Sequence, residues 1–208
     1  MAQAGEIIFH PAFAVRLEFL QTADQTNGEL LRVDVTLPPR FSIPEHVHPR
    51  QEEQHQVLSG TLRARIGGQQ HDYKAGERVV GPPGVPHAWE NPSDQENLHI
   101  ISEHRPVLHL ELMLEAGSRI ARDFSEDKRT ALKHLLRAAV LLNEIKSDFY
   151  FTSWWRRALM ASLLTLAPIG KLLGYGSEPF NTMRGNDREA HERARDVEAD
   201  DPLDGSRG

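Results

Sequence analysis

From residue 15 to residue 114, no apolar stretch outruns a β-strand before turn chemistry cuts it. The stretches are 15–20, 30–37, 54–58, 62–66, 78–80, 98–102 and 107–114. Between them stand Thr26-Asn27-Gly28, Pro38-Pro39, Ser59-Gly60, Gly67-Gly68, Ala75-Gly76 and Pro82-Pro83-Gly84. Many short strands at this spacing predict a β-sandwich or barrel. The prolines at 38, 39, 44, 49, 82, 83 and 86 fall beside strands, because proline cannot donate to a ladder.

Past residue 116 the period changes. Leu132, Leu135, Leu136, Ala139, Val140 and Asn143 recur at helical spacing, which predicts an amphipathic helix over about 126–146, capped by Ser125. A second helical stretch is expected over 153–166, ended or kinked by Pro168 and Gly170. Beyond residue 184 the chain is acidic residues and arginines with almost nothing apolar, a composition that cannot bury enough surface to order itself. The expected organisation is a barrel over 1–116, a helical extension over 117–180 packed on the barrel or on a dimer partner, and a disordered charged tail over 181–208. A solvated helix over 189–198 is the alternative within that tail.

Composition narrows the chemistry. The formal net charge is -6, with no basic run to track a phosphate backbone, so nucleic acid is not an expected partner. The chain has no cysteine, which excludes disulfides, thiolate metal sites and a cysteine nucleophile. Met1 to Gly5 hold no basic residue and Glu6 precedes any apolar run, so a cytoplasmic location is expected.

Two stretches carry candidate chemistry. The first runs from His46 to Gly60 with the spacing H-x-H-x4-E-x6-G, where His46 and His48 share one face of an extended strand. Imidazoles with one carboxylate suit a first-row metal: iron, manganese, nickel, cobalt or zinc. Glu52 and Glu53 are adjacent, and alternation lets only one face inward. The second stretch runs from Gly76 to Asn91 as G-x5-P-x-G-x2-H-x3-N and delivers His87 behind the Pro82-Pro83-Gly84 turn. Asn91 is placed to hold a strand end through side-chain to backbone bonds.

Together the two stretches resemble the paired signature motifs of the cupin superfamily, over about residues 30–105. The resemblance implies a mainly β fold, a double-stranded β-helix or jelly-roll barrel, here with a C-terminal α-helical extension. It implies a divalent transition metal held by His46, His48, Glu53 and His87, with Glu53 preferred to Glu52 because it meets the motif's distance to Gly60. It also implies a small-molecule ligand and a homodimer. One position departs: Arg40 stands where the family usually has a glycine, which leaves the local loop open.

Alternation from Glu53 turns His55 and Val57 inward as well. His55 is then an acid/base group, a partner of a ligand, a fifth ligand, or an interior histidine with no chemistry. His99 is a weaker candidate for the cavity wall, and His71, His104 and His109 are expected at surface or edge positions. Trp89 walls the pocket or serves the rim structurally. Arg63 and Arg65 face solvent or a partner subunit. Over 149–175, aromatics and arginines lead into an apolar run, readable as a helix packed on barrel or dimer partner, a membrane-surface helix, or a short span. The functional expectation is a mononuclear metal enzyme of dioxygenase type acting on a small organic molecule, iron or manganese favoured, with His55 and Glu53 as catalytic candidates. The alternatives are a metal-dependent isomerase, a non-catalytic small-ligand sensor, or a storage cupin.

Overall fold

The computed structural model describes residues 2–175. The expected tail, 181–208, lies outside them. The strands are, in chain order, β1 (Ile7–His10), β2 (Val15–Gln21), β3 (Leu31–Leu37), β4 (Ser42–Val47), β5 (Glu52–Ser59), β6 (Thr61–Ile66), β7 (Gln69–Lys74), β8 (Arg78–Gly81), β9 (His87–Glu90), β10 (Leu98–Arg105) and β11 (Tyr150–Phe151). They form two antiparallel sheets, ordered β1-β2-β3-β10-β5-β8 and β11-β4-β9-β6-β7. This is the jelly-roll barrel.

Strand alternation builds its interior. Val15, Leu17 and Phe19 of β2 and Leu31, Val33, Val35 and Leu37 of β3 are buried at every second position. They meet Val57, Leu62, Ala64, Trp89, Leu98 and Ile100 in one apolar cluster drawn from both sheets. Each fully buried side chain of this size contributes about 1.5–3 kcal/mol relative to exposure. Turns close as their chemistry requires. Gly60 holds φ +82°, and a Cβ there would sit 2.8 Å from the Asn97 carbonyl oxygen. Asn91 Nδ2 donates to the carbonyls of Leu37, Pro38 and Glu96. Arg40 takes φ 59°, so the loop keeps the left-handed turn without the glycine.

The helices are α1 (Leu110–Glu126), α2 (Ala131–Ile145), α3 (Trp154–Leu164) and α4 (Ala167–Leu172), with a 3-10 turn at Lys128–Thr130. Three expectations change here. The stretch 107–114 is not a strand, since α1 begins at Leu110 and the barrel's last long strand is β10. Ser125 does not open a helix; it lies in the last turn of α1, and α2 starts at Ala131. In α2, Leu136, Ala139 and Val140 are buried while Leu132 and Leu135 are exposed, so the buried stripe is narrower than the apolar one.

Glu111 of α1 accepts from the backbone N–H of Ala2 (3.1 Å) and Ala23 (2.6 Å) and so ties the helix to the start of the barrel. α4 meets α2 at Gly170, where a Cβ would lie 2.6 Å from Val140 Cγ2. Pro168 sits in the first turn of α4, where its missing N–H costs nothing. α3 buries none of its residues, and Trp154, Trp155 and Leu159 are exposed. Among the described residues, no helix is long and apolar enough to cross a membrane.

Candidate metal centre

The two sheets contribute opposite walls of one polar cluster. His46 of β4 and His87 of β9 are ladder partners in the smaller sheet. Glu53 of β5 comes from the larger one, and His48 follows the end of β4. Each of the four offers one ligand atom, and these atoms lie within 4.8 Å of one another. All four residues are buried. Glu53 Oε2 is the hub, with Nε2 of His87, His48 and His46 at 3.2, 3.6 and 3.7 Å. Glu52, next door, is only half-buried.

The imidazole protons are fixed from behind. His46 Nδ1 donates to the Pro44 carbonyl (2.9 Å), His87 Nδ1 to the Val85 carbonyl (2.8 Å) and His48 Nδ1 to the Asp148 carbonyl (3.0 Å). A neutral imidazole has one N–H, and a carbonyl can only accept. Each Nε2 therefore turns a lone pair toward the Glu53 carboxylate. Four lone-pair atoms meeting in a buried space repel unless a cation sits among them. Protons or a metal ion can serve, and three imidazole nitrogens with one carboxylate oxygen are a donor set that could hold a divalent transition metal.

The electrostatics follow that arrangement. Burial pushes the Glu53 carboxyl up, but the imidazoles of His46, His55 and His87 around it outweigh burial and hold the group well below the usual carboxylate range. Burial opposes the charge on His46, yet the Glu53 carboxylate raises it overall. At His48 burial wins over Glu53, and the imidazole is lowered.

Behind the carboxylate lies a second group of polar rings. His55 Nε2 is 3.1 Å from Glu53 Oε1, the oxygen turned away from the cluster hub, in a contact poorly aligned for a hydrogen bond. His55 thus stands behind Glu53 rather than beside the other three imidazoles. Trp89 is edge-on to His55, with ring centroids 4.5 Å apart at 89°. His104 of β10 faces His55 at 6.4 Å and its Nε2 meets Ser102 Oγ at 2.8 Å. His55 Nδ1, His104 Nδ1 and Trp89 Nε1 are buried without a partner.

His104 is a correction to the surface position expected for it. Leu98, Ile100, Ser102 and His104 alternate inward along β10, a signal that runs two residues past the apolar stretch. His99 is the opposite correction. It points off the cavity and pairs with Asp34 Oδ1 at 2.7 Å. His71 is exposed beside Tyr73, and His109 is bonded to Asp148 Oδ2 at 2.8 Å. Arg63 grips Asp72 of β7 with two bonds, 2.8 and 2.9 Å, while Leu62 and Ala64 face the core.

Gly81, the ladder partner of Glu53, stands where the packed rings leave little room for a side chain. A Cβ at this position would sit 3.1 Å from Trp89 Cζ2 and 3.2 Å from His87 Nδ1. Gly84, in the proline turn, donates its N–H to the His48 carbonyl (2.8 Å) and so joins the two motif stretches directly.

Residues 33–102 match the family described as Cupin domain. No curated protein matches the chain. Among solved structures, an RmlC-like cupin from Shewanella frigidimarina is 21% identical, covering 51% of this chain and 87% of its own, with a TM-score of 0.42. A predicted oxalate decarboxylase from Thermotoga maritima is 22% identical over 44% of this chain and 80% of its own, TM-score 0.42. KdgF from a Halomonas species is 16% identical over 44% and 78%, TM-score 0.39.

Proposed function

We propose, from the match of residues 33–102 to the Cupin domain family, that the chain is a mononuclear non-haem metal enzyme of dioxygenase type acting on a small organic molecule. The observation that carries the reading is the convergence of three imidazole Nε2 atoms and Glu53 Oε2 in one buried cluster. His46, His48, Glu53 and His87 would hold the metal, with iron or manganese favoured. Bound there, such an ion supplies Lewis acidity and one-electron chemistry toward dioxygen.

The chain's own residues supply the rest. Glu53 presents Oε2 to the cluster and Oε1 to His55, so it links the two groups of rings. His55 is placed to hold a proton at Nε2 beside Glu53 Oε1 and to exchange it with a ligand, the work of a general acid or base. Trp89 and His104 close the space behind it and exclude water. The indole N–H at Trp89 Nε1, buried without a partner, favours a ligand that carries an acceptor oxygen, because a buried donor left unpaired costs about 1–3 kcal/mol. The reading includes a cytoplasmic location and a homodimer.

Oxygen uptake decides the matter. Protein loaded with Fe2+ or Mn2+ is expected to consume dioxygen with at least one member of a phenol and diketone panel. No uptake with either ion across the panel would overturn the dioxygenase reading.

A further inference from the structure

Two of the three candidate imidazole ligands are oriented by their own strands. His46 and His87 each donate Nδ1–H to a carbonyl two residues earlier, at Pro44 and Val85. His48 has no such local acceptor. Its Nδ1 reaches the carbonyl of Asp148, one hundred residues along the chain and outside the cupin match. The acceptor comes from the turn after α2.

That turn is held on several sides. Asp148 is buried, and its N–H bonds the Ile145 carbonyl at 2.9 Å. Its Oδ2 accepts from the His109 backbone N–H (3.1 Å) and from His109 Nδ1 (2.8 Å). Its Oδ1 accepts from Arg50 (3.2 Å) and from the Ser147 hydroxyl (3.1 Å). The chain then runs along the ligand strand. Phe149 lies against His48, ring centroids 6.2 Å apart. Tyr150 and Phe151 pair with Val47 and His46 in the ladder. Thr152 bonds Glu45 through its N–H (3.3 Å) and its hydroxyl (2.6 Å). A carboxylate that spends both oxygens on His109, Arg50 and Ser147 leaves its own carbonyl fixed in place.

We propose that residues 148–152 form a strap that completes the metal site, with Asp148 as a positioning residue that fixes the ring of His48 and thereby sets metal affinity. Partners of this kind hold a ligating imidazole in one tautomer and one orientation, and their loss typically weakens metal binding about 10–100-fold. The inference rests on the metal-site reading above. It makes metal binding a property of the barrel and the extension together.

The test is Zn2+ affinity measured by chelator competition in the full chain, with imidazole N–H signals followed by NMR in the zinc-loaded protein. Asp148→Ala frees the side-chain anchors and is expected to raise the Zn2+ dissociation constant about 10–100-fold and to abolish the slowly exchanging Nδ1–H signal of His48. Asp148→Asn keeps an acceptor for the His109 N–H and restores most of both. His134→Ala removes a buried imidazole of α2 bonded only to Thr130; it is expected to lower Tm and leave zinc affinity alone. Unchanged affinity with the His48 signal retained in Asp148→Ala overturns the inference. If that variant does not fold, Arg50→Ala with His109→Ala is judged by the same two readouts. The metal-site reading fails separately, by zinc binding that persists in His87→Ala.

Discussion

His104 and Glu53 are ladder partners across β10 and β5, so a buried imidazole sits directly beside the buried carboxylate at the hub of the cluster. Burial pushes His104 down to about 3, against 6.5 for an ordinary histidine, with Glu53 opposing. Below pH 6.5 the unfolded chain takes a proton at this position that the folded chain refuses. The stability that goes with a neutral His104 is therefore whole above pH 6.5 and drains away as pH falls toward about 3. One proton is worth about 1.4 kcal/mol per pH unit over that window. Urea unfolding of metal-free His104→Leu and wild type between pH 7 and pH 4 measures it. The variant is expected to lose stability less steeply on the acid side, and parallel curves would refute the assignment.

His87 is fully buried and its Nε2 is the nearest imidazole nitrogen to Glu53 Oε2. His87→Ala should lose most of the metal that wild type carries through purification, whereas His134→Ala should keep it. Elemental analysis of both proteins reads the difference, and equal metal content would sink the ligand set. Acid should also release the metal, since the three imidazoles bind only in their neutral form.

Gly81 owes its identity to space. A methyl group would press on Trp89 and His87, which are 2% and 0% exposed and have nowhere to retreat. Gly81→Ala is expected to cost about 1–3 kcal/mol, the usual penalty for overpacking, and to weaken metal binding by displacing His87. Denaturant midpoint and metal affinity should fall together. A stable variant with wild-type affinity would show that the barrel relaxes around the methyl group.

Arg40 holds φ 59° in the loop before β4, and its side chain is exposed beside Asp94 at 2.8 Å. A left-handed backbone costs a non-glycine residue roughly 1–2 kcal/mol, while an exposed ion pair returns little. Arg40→Gly should therefore raise stability by up to about 1 kcal/mol, after the extra freedom of glycine in the unfolded chain is subtracted. The shift in urea midpoint at constant m-value reads this directly.

The cluster of His46, His48, Glu53 and His87 was legible because spacing and alternation both bear on it. Alternation let only one of Glu52 and Glu53 inside, the motif's distance to Gly60 chose Glu53, and the same period turned His55 inward, as the structure places them. Elsewhere the apolar pattern misled. Leu108, Leu110, Leu112 and Leu114 alternate like a strand, yet the buried residues of α1 include Glu111, Glu115 and Ser118, polar side chains that a hydrophobic pattern cannot register. β7 is polar and nowhere fully buried, held by its ladder with β6. Tyr73 is its one large apolar side chain, too little for a pattern to register. β11 is two residues long, and its pairing with β4 joins segments one hundred residues apart. His104 escaped because its strand looked finished at Ser102. The Asp148 carbonyl could not have been found, because every residue has one.

β11 also changes which borders of the molecule stay open. β4 is bonded to β9 on one side, and its other side would be a bare rim of N–H and C=O groups beside a metal ligand. Such a rim invites a strand from a neighbouring molecule. Tyr150 and Phe151 occupy it from within the same chain. A homodimer built by adding strands edge to edge must use β1, β7 or β8, or continue from the two residues of β11. The strand of His46 itself is withdrawn from self-association, so a chain that lost this cover would be exposed to swapping and fibre growth beside the candidate metal ligands.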